Sequence, residues 1–137
     1  MKRTIITAAT IAAIAMELTA GPASASKPKL TGEAKLAQML EGREAGKPVN
    51  CLPLGSATET RIIDKTAIVY RYGNTLYVNR PSNPSSLDDG DIMVTQQTSG
   101  QLCRLDSVRL IDQASRFFTG FVALEDFVPY RKVASAN

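Results

Sequence analysis

Downstream of residue 48, short apolar runs alternate with turn-forming residues such as Gly, Pro, Asn, Asp and Ser. Runs of this length and spacing are typical of β-strands joined by tight turns. The pattern predicts a mainly β fold, a small antiparallel sandwich or barrel of six to seven short strands with one short N-terminal helix. The predicted strands cover residues 58–63, 67–71, 75–80, 92–96, 102–105, 108–112 and 121–124.

A two-residue hairpin turn is predicted at Gly73 and the asparagine after it. Glycine supplies the positive φ that a type II′ turn needs at its first central position. This turn places Tyr70 opposite Tyr77 and Val69 opposite Val78. Apolar side chains then fall on both faces of the hairpin, so we expect both faces to be covered.

An amphipathic segment precedes the strands. Thr31 is suited to cap a helix from residue 32 to about residue 41. Leu36, Met39 and Leu40 lie at i, i+3 and i+4 and form its apolar stripe. A partner-binding helix is one interpretation of this stripe, but we favour packing of the helix on its own domain.

The remaining segments are predicted to lack regular structure or to fill the core. Residues 43–48 are interpreted as a connector, and residues 81–90 as the longest loop because they are rich in Pro, Ser, Asn and Asp. Phenylalanine is a common core residue, so the four phenylalanines are predicted to be buried. They are Phe117, Phe118, Phe121 and Phe127.

The start of the chain is typical of an export signal. Two basic residues follow the initiating Met, an apolar stretch covers residues 5–16, and the small residues Ala23 and Ala25 come next. A signal peptidase cuts after small residues of this kind, so we predict cleavage after Ala25 and a mature chain that begins at Ser26. The apolar stretch is too short to cross a hydrocarbon core of about 30 Å, so no transmembrane segment is predicted. An uncleaved amphipathic helix is the alternative.

The predicted organisation is a signal peptide at 1–25, a leader and short helix at 26–45, and a disulfide-linked β domain at 46–137. Periplasmic or secreted localisation follows from the signal peptide. The 16 basic and 13 acidic residues leave a net charge of +3, too small an excess to indicate a nucleic-acid partner.

The chain contains no histidine, which excludes His-ligated zinc and a histidine general base. Walker and Rossmann glycine motifs are also missing from the sequence. We therefore predict no catalytic residue, no cofactor and no metal site, and we favour a protein that is not an enzyme.

Cys51 and Cys103 are the two cysteines of the chain. An even number of cysteines in an exported protein favours a disulfide bond, which the chain-entropy model values at about 4 kcal/mol for a loop of this length. The alternative is a reactive thiolate at Cys103 activated by Arg104. Adjacent residues on a strand point to opposite faces, so Arg104 is poorly placed to activate it.

Acidic residues cluster in the long loop, where Asp88, Asp89 and Asp91 surround a glycine. Three carboxylates on a turn are able to hold Ca²⁺, but the ligand order of a calcium loop is missing. We favour a hydrogen-bonded acidic turn. A small hydrolase would need two carboxylates across a cleft, and Asp88, Asp91, Asp106 and Asp112 are its candidates.

Arginines interleave with tyrosines along the predicted strands, with Arg71 and Arg80 near the hairpin. Such a surface is able to bind anionic glycans or lipid headgroups. The small net charge argues against a strong electrostatic field. The alternative is that the arginines point outward and that their aliphatic stems cover apolar surface. The set is Arg61, Arg71, Arg80, Arg104, Arg109, Arg116 and Arg131.

Six segments of the sequence resemble a proteobacterial family of small exported proteins known as a domain of unknown function. The resemblance implies export and a disulfide, but no reaction, cofactor or site. Many family members have a second cysteine pair that this chain lacks, which leaves Cys51 and Cys103 as the natural pair. The segments are GKPVNC (46–51), TRIIDKTAIVYR (60–71), GNTLYVNRP (73–81), SSLDDGDIMV (85–94), QLCRLDSVRLID (101–112) and GFVALEDFVPY (120–130).

These observations favour an exported β domain with a binding or structural role. Its partner is left open, an envelope protein or an anionic ligand. One alternative is an inhibitor-like module that presents residues 81–90 to an exported enzyme, since loops on rigid scaffolds often carry function. The other alternative is the carboxylate-dependent hydrolase.

Overall fold

The computed structural model describes residues 28–134. The predicted signal peptide, with its cleavage site at Ala23, Ala25 and Ser26, lies outside the described residues. The described part is mainly β, as predicted, and it contains one α-helix and ten strands. These are α1 (Gly32–Met39), β1 (Arg43–Ala45), β2 (Cys51–Pro53), β3 (Glu59–Ile63), β4 (Ala67–Tyr72), β5 (Thr75–Asn79), β6 (Asp91–Val94), β7 (Gln101–Cys103), β8 (Ser107–Asp112), β9 (Phe118–Ala123) and β10 (Phe127–Lys132).

The strands form three antiparallel sheets. Sheet A has the order β1-β10-β5-β4-β3, sheet B pairs β2 with β7, and sheet C has the order β6-β8-β9. One face of sheet A packs on sheets B and C, and its other face packs on α1. The molecule is therefore a β-sandwich with a helix on its outer side.

The hairpin of β4 and β5 forms the centre of both cores. Gly73 has a φ of +56°, and the turn sets Tyr70 opposite Tyr77 and Val69 opposite Val78, as predicted. Tyr70 belongs to the core shared with sheets B and C, whereas Val69 and Val78 belong to the core beneath α1. The expectation that both faces are covered is confirmed.

Helix α1 begins as predicted, because the Thr31 hydroxyl accepts a hydrogen bond from the backbone N–H of Ala34. The helix ends at Met39, two residues before the predicted end. Leu36 is buried, and Met39 and Leu40 pack against the same core. Packing of the helix on its own domain is confirmed.

Phe127 and Asn79 lie opposite each other where β10 meets β5. Phe127 is fully buried. Asn79 is also fully buried, and its side-chain amide both donates to the carbonyl of Glu125 and accepts from the N–H of Glu125. A buried amide needs both bonds, so Asn79 ties β5 to the segment that enters β10.

Cys51 and Cys103 form a disulfide, which confirms the structural prediction for both residues. They lie directly opposite each other on β2 and β7, with their Cα atoms 4.0 Å apart. Within the described chain there is no free cysteine. Cys103 is thus not available as a thiolate.

Three strands arise where the sequence predicts none. The connector at residues 43–48 contains β1, which pairs with β10, and the sequence pattern also gives no indication of β2 or β10. Strand β10 carries Pro129, which lacks the N–H of a ladder residue, so its sequence is atypical of a strand between two neighbours.

The prediction that all four phenylalanines are buried is wrong for three of them. Phe117, Phe118 and Phe121 are 74%, 56% and 57% exposed, and only Phe127 is in the core. Val122 takes the inner position of β9, and Phe121 beside it points outward. A register shift between β8 and β9 brings Phe118 to the same outer face, although strict alternation would turn it inward.

No helix within residues 28–134 has the length and apolar character needed to span a bilayer.

Candidate functional site

A groove with a volume of about 910 Å³ runs along β3. Strand β3 is the edge of sheet A and forms the floor of the groove. Helix α1 contributes one wall, and β6, the edge of sheet C, contributes the other. We call this feature the β3 groove.

Two unpaired strand edges border the β3 groove. Both β3 and β6 pair with a neighbour on one side only. Among the described residues, the outer edge of neither strand makes a backbone hydrogen bond to another strand. A free edge exposes a row of N–H and C=O groups that is able to pair with an added strand.

The inner part of the β3 groove is apolar. Its lining there comes from Leu54, Ile62, Met93 and Leu102, together with the ring of Tyr70. The first four side chains belong to or pack against the core between sheets A, B and C. The groove is therefore continuous with the hydrophobic interior of the sandwich.

Tyr70 places a polar atom in this apolar lining. Its side chain is 4% exposed, and its hydroxyl has no hydrogen-bond partner among the described residues. Burial, with a smaller effect of the nearby Tyr72, raises the pKa of Tyr70. The hydroxyl thus stays neutral at physiological pH, and because its oxygen is enclosed, it can bond only to a group that displaces part of the lining.

We expect Tyr70→Phe to raise the free energy of unfolding by about 1–2 kcal/mol, because it removes a buried hydroxyl that lacks a partner and keeps the ring. Tyr72→Phe is the matched control. The Tyr72 hydroxyl donates to the carbonyl of Pro53 at 2.6 Å, so its removal should lower stability by about 1 kcal/mol. Urea unfolding of both variants shows whether each substitution raises or lowers the free energy of unfolding. A loss of stability in Tyr70→Phe would mean that the Tyr70 hydroxyl is hydrogen-bonded in solution.

Charged groups at the rim of the β3 groove are paired within the chain. Lys35 on α1 forms an ion pair with Asp89 at 3.0 Å, which links the helix to the loop before β6. The hydrogen bond from Lys35 lowers the pKa of the Asp89 carboxyl. Arg61 is paired with Glu59 at 2.5 Å. Asp91, which also lines the groove, is the exception, because it has no ion pair among the described residues and leaves one negative charge at the rim.

The acidic residues singled out in the sequence separate into local hydrogen bonds. Asp88 accepts from the N–H of Gly90, and Asp91 accepts from the hydroxyl of Thr119. Asp89 makes the ion pair with Lys35. Within residues 28–134, no group of three or more carboxylates or cysteines is placed to share a metal ion.

Asp91 and Asp112 face each other on β6 and β8 and, with Asp88, line a smaller hollow of about 440 Å³. The hydrogen bonds from the hydroxyl and N–H of Ser115 lower the pKa of Asp112. A general acid of a glycosidase needs a raised pKa, so the environment of Asp112 is opposite to that role. Asp106, the fourth hydrolase candidate, does not line this hollow and accepts a hydrogen bond from the N–H of Cys103.

The arginines predicted as weak anion-binding candidates are already engaged. Arg71 contacts Glu59 at 3.1 Å, and Arg80 makes a two-pronged pair with Glu33 at 2.6 and 3.0 Å. The bond from Arg80 lowers the pKa of Glu33. Neither guanidinium is therefore set up to receive an anion.

The long loop at residues 81–90 is fastened to sheet C. The Asn83 side chain donates to the carbonyl of Phe121 and accepts from the N–H of Ala123, and Leu87 is buried in the core. Asn83 thus covers part of the outer edge of β9. The loop presents Ser85, Ser86 and residues 88–90 at the surface, but its backbone is held at both ends.

Sequence reasoning missed the β3 groove, because its walls come from segments that are far apart along the chain. One signal was present: the consecutive apolar residues Ile62 and Ile63 indicate that β3 has apolar contacts on both faces. In the structure, Ile62 faces the core against sheets B and C, and Ile63 faces α1.

Comparison of the chain with protein-family models, with curated proteins and with solved structures found no match, so the family resemblance read from the sequence remains a prediction.

Proposed function

We propose that this chain is an exported, non-catalytic binding protein that takes an extended, mainly apolar peptide segment in the β3 groove. The observation that carries the proposal is the position of the groove along an unpaired strand edge. The bound segment would add to sheet A as a further strand next to β3. Strand addition is a common mode of peptide recognition.

The free edge and the apolar lining supply complementary interactions. Backbone groups of β3 bond to the main chain of the peptide, which gives affinity without sequence selectivity. Side chains of an extended peptide alternate between two faces, so every second one points to the apolar lining near Leu54, Met93 and Leu102. Selectivity for apolar residues at alternate positions follows.

The charges at the rim favour a neutral segment. Lys35 is paired with Asp89, and Arg61 is paired with Glu59, whereas Asp91 at the rim has no ion pair among the described residues. A charged peptide side chain at the centre of the groove would lose its hydration against the apolar inner lining. We therefore expect acidic and basic residues to be excluded from the central positions of the peptide.

Export to the periplasm or the exterior is part of the proposal. A disulfide persists in oxidising compartments and is rare in the cytosol, and the bond between Cys51 and Cys103 supports this localisation. The N-terminal basic residues, apolar stretch and small residues support it independently from the sequence.

A variant that blocks the groove tests the proposal. Decapeptides are first selected on the purified protein from a random library, and their affinity is measured by calorimetry. Thr95 lines the groove, so Thr95→Trp should weaken binding by at least about tenfold. The exposed neighbour Gln96 is outside the lining, and Gln96→Trp should leave the affinity unchanged. Equal affinity of the two variants would reject the groove as the site.

A small amphipathic molecule is the second candidate, and the unpartnered Tyr70 hydroxyl favours it. Hydrogen exchange separates the two ligands. A peptide that adds as a strand slows exchange of the outward amides of β3, whereas a small molecule seated at Tyr70 leaves them fast.

A further inference from the structure

The outer face of sheet C is apolar and uncovered in the described chain. Phe118 lies opposite Ile111, and Phe121 lies opposite Arg109, so these four side chains share the face that points away from the core. Phe117, in the turn before β9, extends the same strand. We call this surface, with Arg116 at its end, the aromatic face.

The phenyl rings of the aromatic face are more than half exposed. Phe117 is 74% exposed, Phe118 56% and Phe121 57%. Isolated apolar side chains on a surface are ordinary, but Phe118 and Phe121 share one face of β9, and with the exposed Phe117 directly before the strand they form a patch. Patches of this kind mark surfaces that bind a partner or a membrane.

The charge of the aromatic face is positive. Arg109 and Arg116 have no carboxylate partner among the described residues, unlike the paired Arg61, Arg71 and Arg80. The guanidinium of Arg109 instead lies 5.3 Å from the centre of the Phe118 ring. The neighbouring acidic residues Asp91 and Asp112 lie opposite each other on β6 and β8. Their positions alternate with those of the aromatic face, so their side chains belong to the other side of sheet C.

The turn that carries Phe117 is held in one shape. The Asp112 carboxylate accepts bonds from Ser115, the N–H of Arg116 bonds to the carbonyl of Asp112, and the N–H of Asp112 bonds to the carbonyl of Phe117. A surface that is fixed before binding loses little conformational entropy on contact.

We propose that the aromatic face docks this protein on an anionic lipid bilayer. The phenyl rings enter the interfacial layer, and Arg109 and Arg116 meet lipid phosphates. A bilayer surface offers an apolar phase and a layer of phosphates at adjacent depths, which matches rings and guanidinium groups that lie side by side. This proposal goes beyond peptide binding and does not depend on the β3 groove.

A second copy of the chain fits the aromatic face less well. Pairing of two β9 edges is obstructed, because Asn83 already bonds to the carbonyl of Phe121 and the N–H of Ala123. Face-to-face packing would bring the unneutralised Arg109 and Arg116 of both copies together. An acidic polymer would neutralise the arginines but would leave the phenyl rings in water.

Sedimentation with sucrose-loaded vesicles tests the proposal. The purified protein is mixed with vesicles of phosphatidylglycerol and phosphatidylcholine, and with vesicles of phosphatidylcholine alone. We expect binding to the anionic vesicles that is at least about tenfold stronger than binding to the neutral vesicles, because each arginine near the surface contributes about a fivefold increase.

Two variants separate the contributions of rings and charges. Serine at Phe117, Phe118 and Phe121 should reduce binding on the order of a hundredfold. Arg109→Gln with Arg116→Gln should reduce it by roughly tenfold to thirtyfold and remove most of the salt dependence.

Leu105→Ser is the matched control for the loss of an exposed apolar side chain. Leu105 is 73% exposed, but it precedes β8 and lies at the opposite end of sheet C from Phe117. We expect its vesicle binding to stay within about twofold of the unmodified protein. Phe121→Ser alone, at a ring on the outer face of β9, serves as a milder variant if the triple serine variant fails to fold.

Three results would overturn the proposal. One is unchanged vesicle binding after loss of the Phe121 ring. Another is binding to dextran sulfate without binding to vesicles, which would assign the face to polyanions. The third is a dimer that dissociates in the triple serine variant while the unmodified protein ignores vesicles, which would assign the face to a second copy.

Discussion

Phe127→Ala is expected to lower the free energy of unfolding by about 3–5 kcal/mol. Phe127 is 0% exposed and lies in the core between sheet A and sheets B and C. Its ring meets the ring of Tyr70 edge to face, with their centres 5.7 Å apart. Truncation would remove this contact and leave a cavity at the start of β10.

Urea unfolding of Phe127→Ala measures this effect, and Phe118→Ala is the matched control. The same atoms are removed in both variants, but Phe118 is 56% exposed. We expect the control to change stability by no more than about 0.5 kcal/mol. Similar losses in the two variants would show that Phe118 is buried in solution, contrary to the exposed position described above.

Loss of the disulfide should lower the free energy of unfolding by about 4 kcal/mol in the chain-entropy model. Cys51 and Cys103 are separated by 52 positions, so their bond removes much of the freedom of the unfolded chain. Sheet B has only three residue pairs and depends on this bond more than the longer ladders do. A loss of this size is a large part of the roughly 5–15 kcal/mol that stabilises a typical domain.

The double variant Cys51→Ala and Cys103→Ala isolates this contribution. Its urea midpoint should fall to that of the unmodified protein in reductant, and reductant should have no further effect on it. If the oxidised protein and the double variant unfold at the same midpoint, the disulfide contributes nothing to stability.

Features set by local sequence could be predicted. The turn at Gly73 fixes the register of β4 and β5, because the side-chain period of a strand is two and the turn length sets the pairing. Thr31 fixes the helix start through one hydrogen bond to Ala34. The disulfide followed from the number of cysteines and the predicted export.

Features that depend on distant segments could not be predicted. Strand β10 contains Pro129 and ends in Arg131 and Lys132, a composition that does not indicate a strand with a neighbour on each side. Its place in sheet A comes from β1 and β5, which supply the partners that local propensity does not predict. The same holds for the β3 groove, whose walls meet only after folding.

The exposed phenylalanines were mispredicted for a different reason. Residue type favours burial, whereas the position on the strand decides which face a side chain occupies. Val108 and Val122 lie opposite each other on the inner side of sheet C, so Phe121 beside Val122 turns outward, and a register shift between β8 and β9 turns Phe118 to the same side. Aromatic residues at exposed positions lower the solubility of a protein, and a binding surface is one reason for a protein to retain them.

Asn79 has a consequence for the alignment of β10. Its amide matches both backbone groups of Glu125, which sets one position of the incoming chain relative to β5. Without these two bonds the N–H and carbonyl of Glu125 would lose their partners inside the fold, at a cost of about 1–3 kcal/mol. Asn79 therefore acts as a brace for the irregular segment that leads Phe127 into the core.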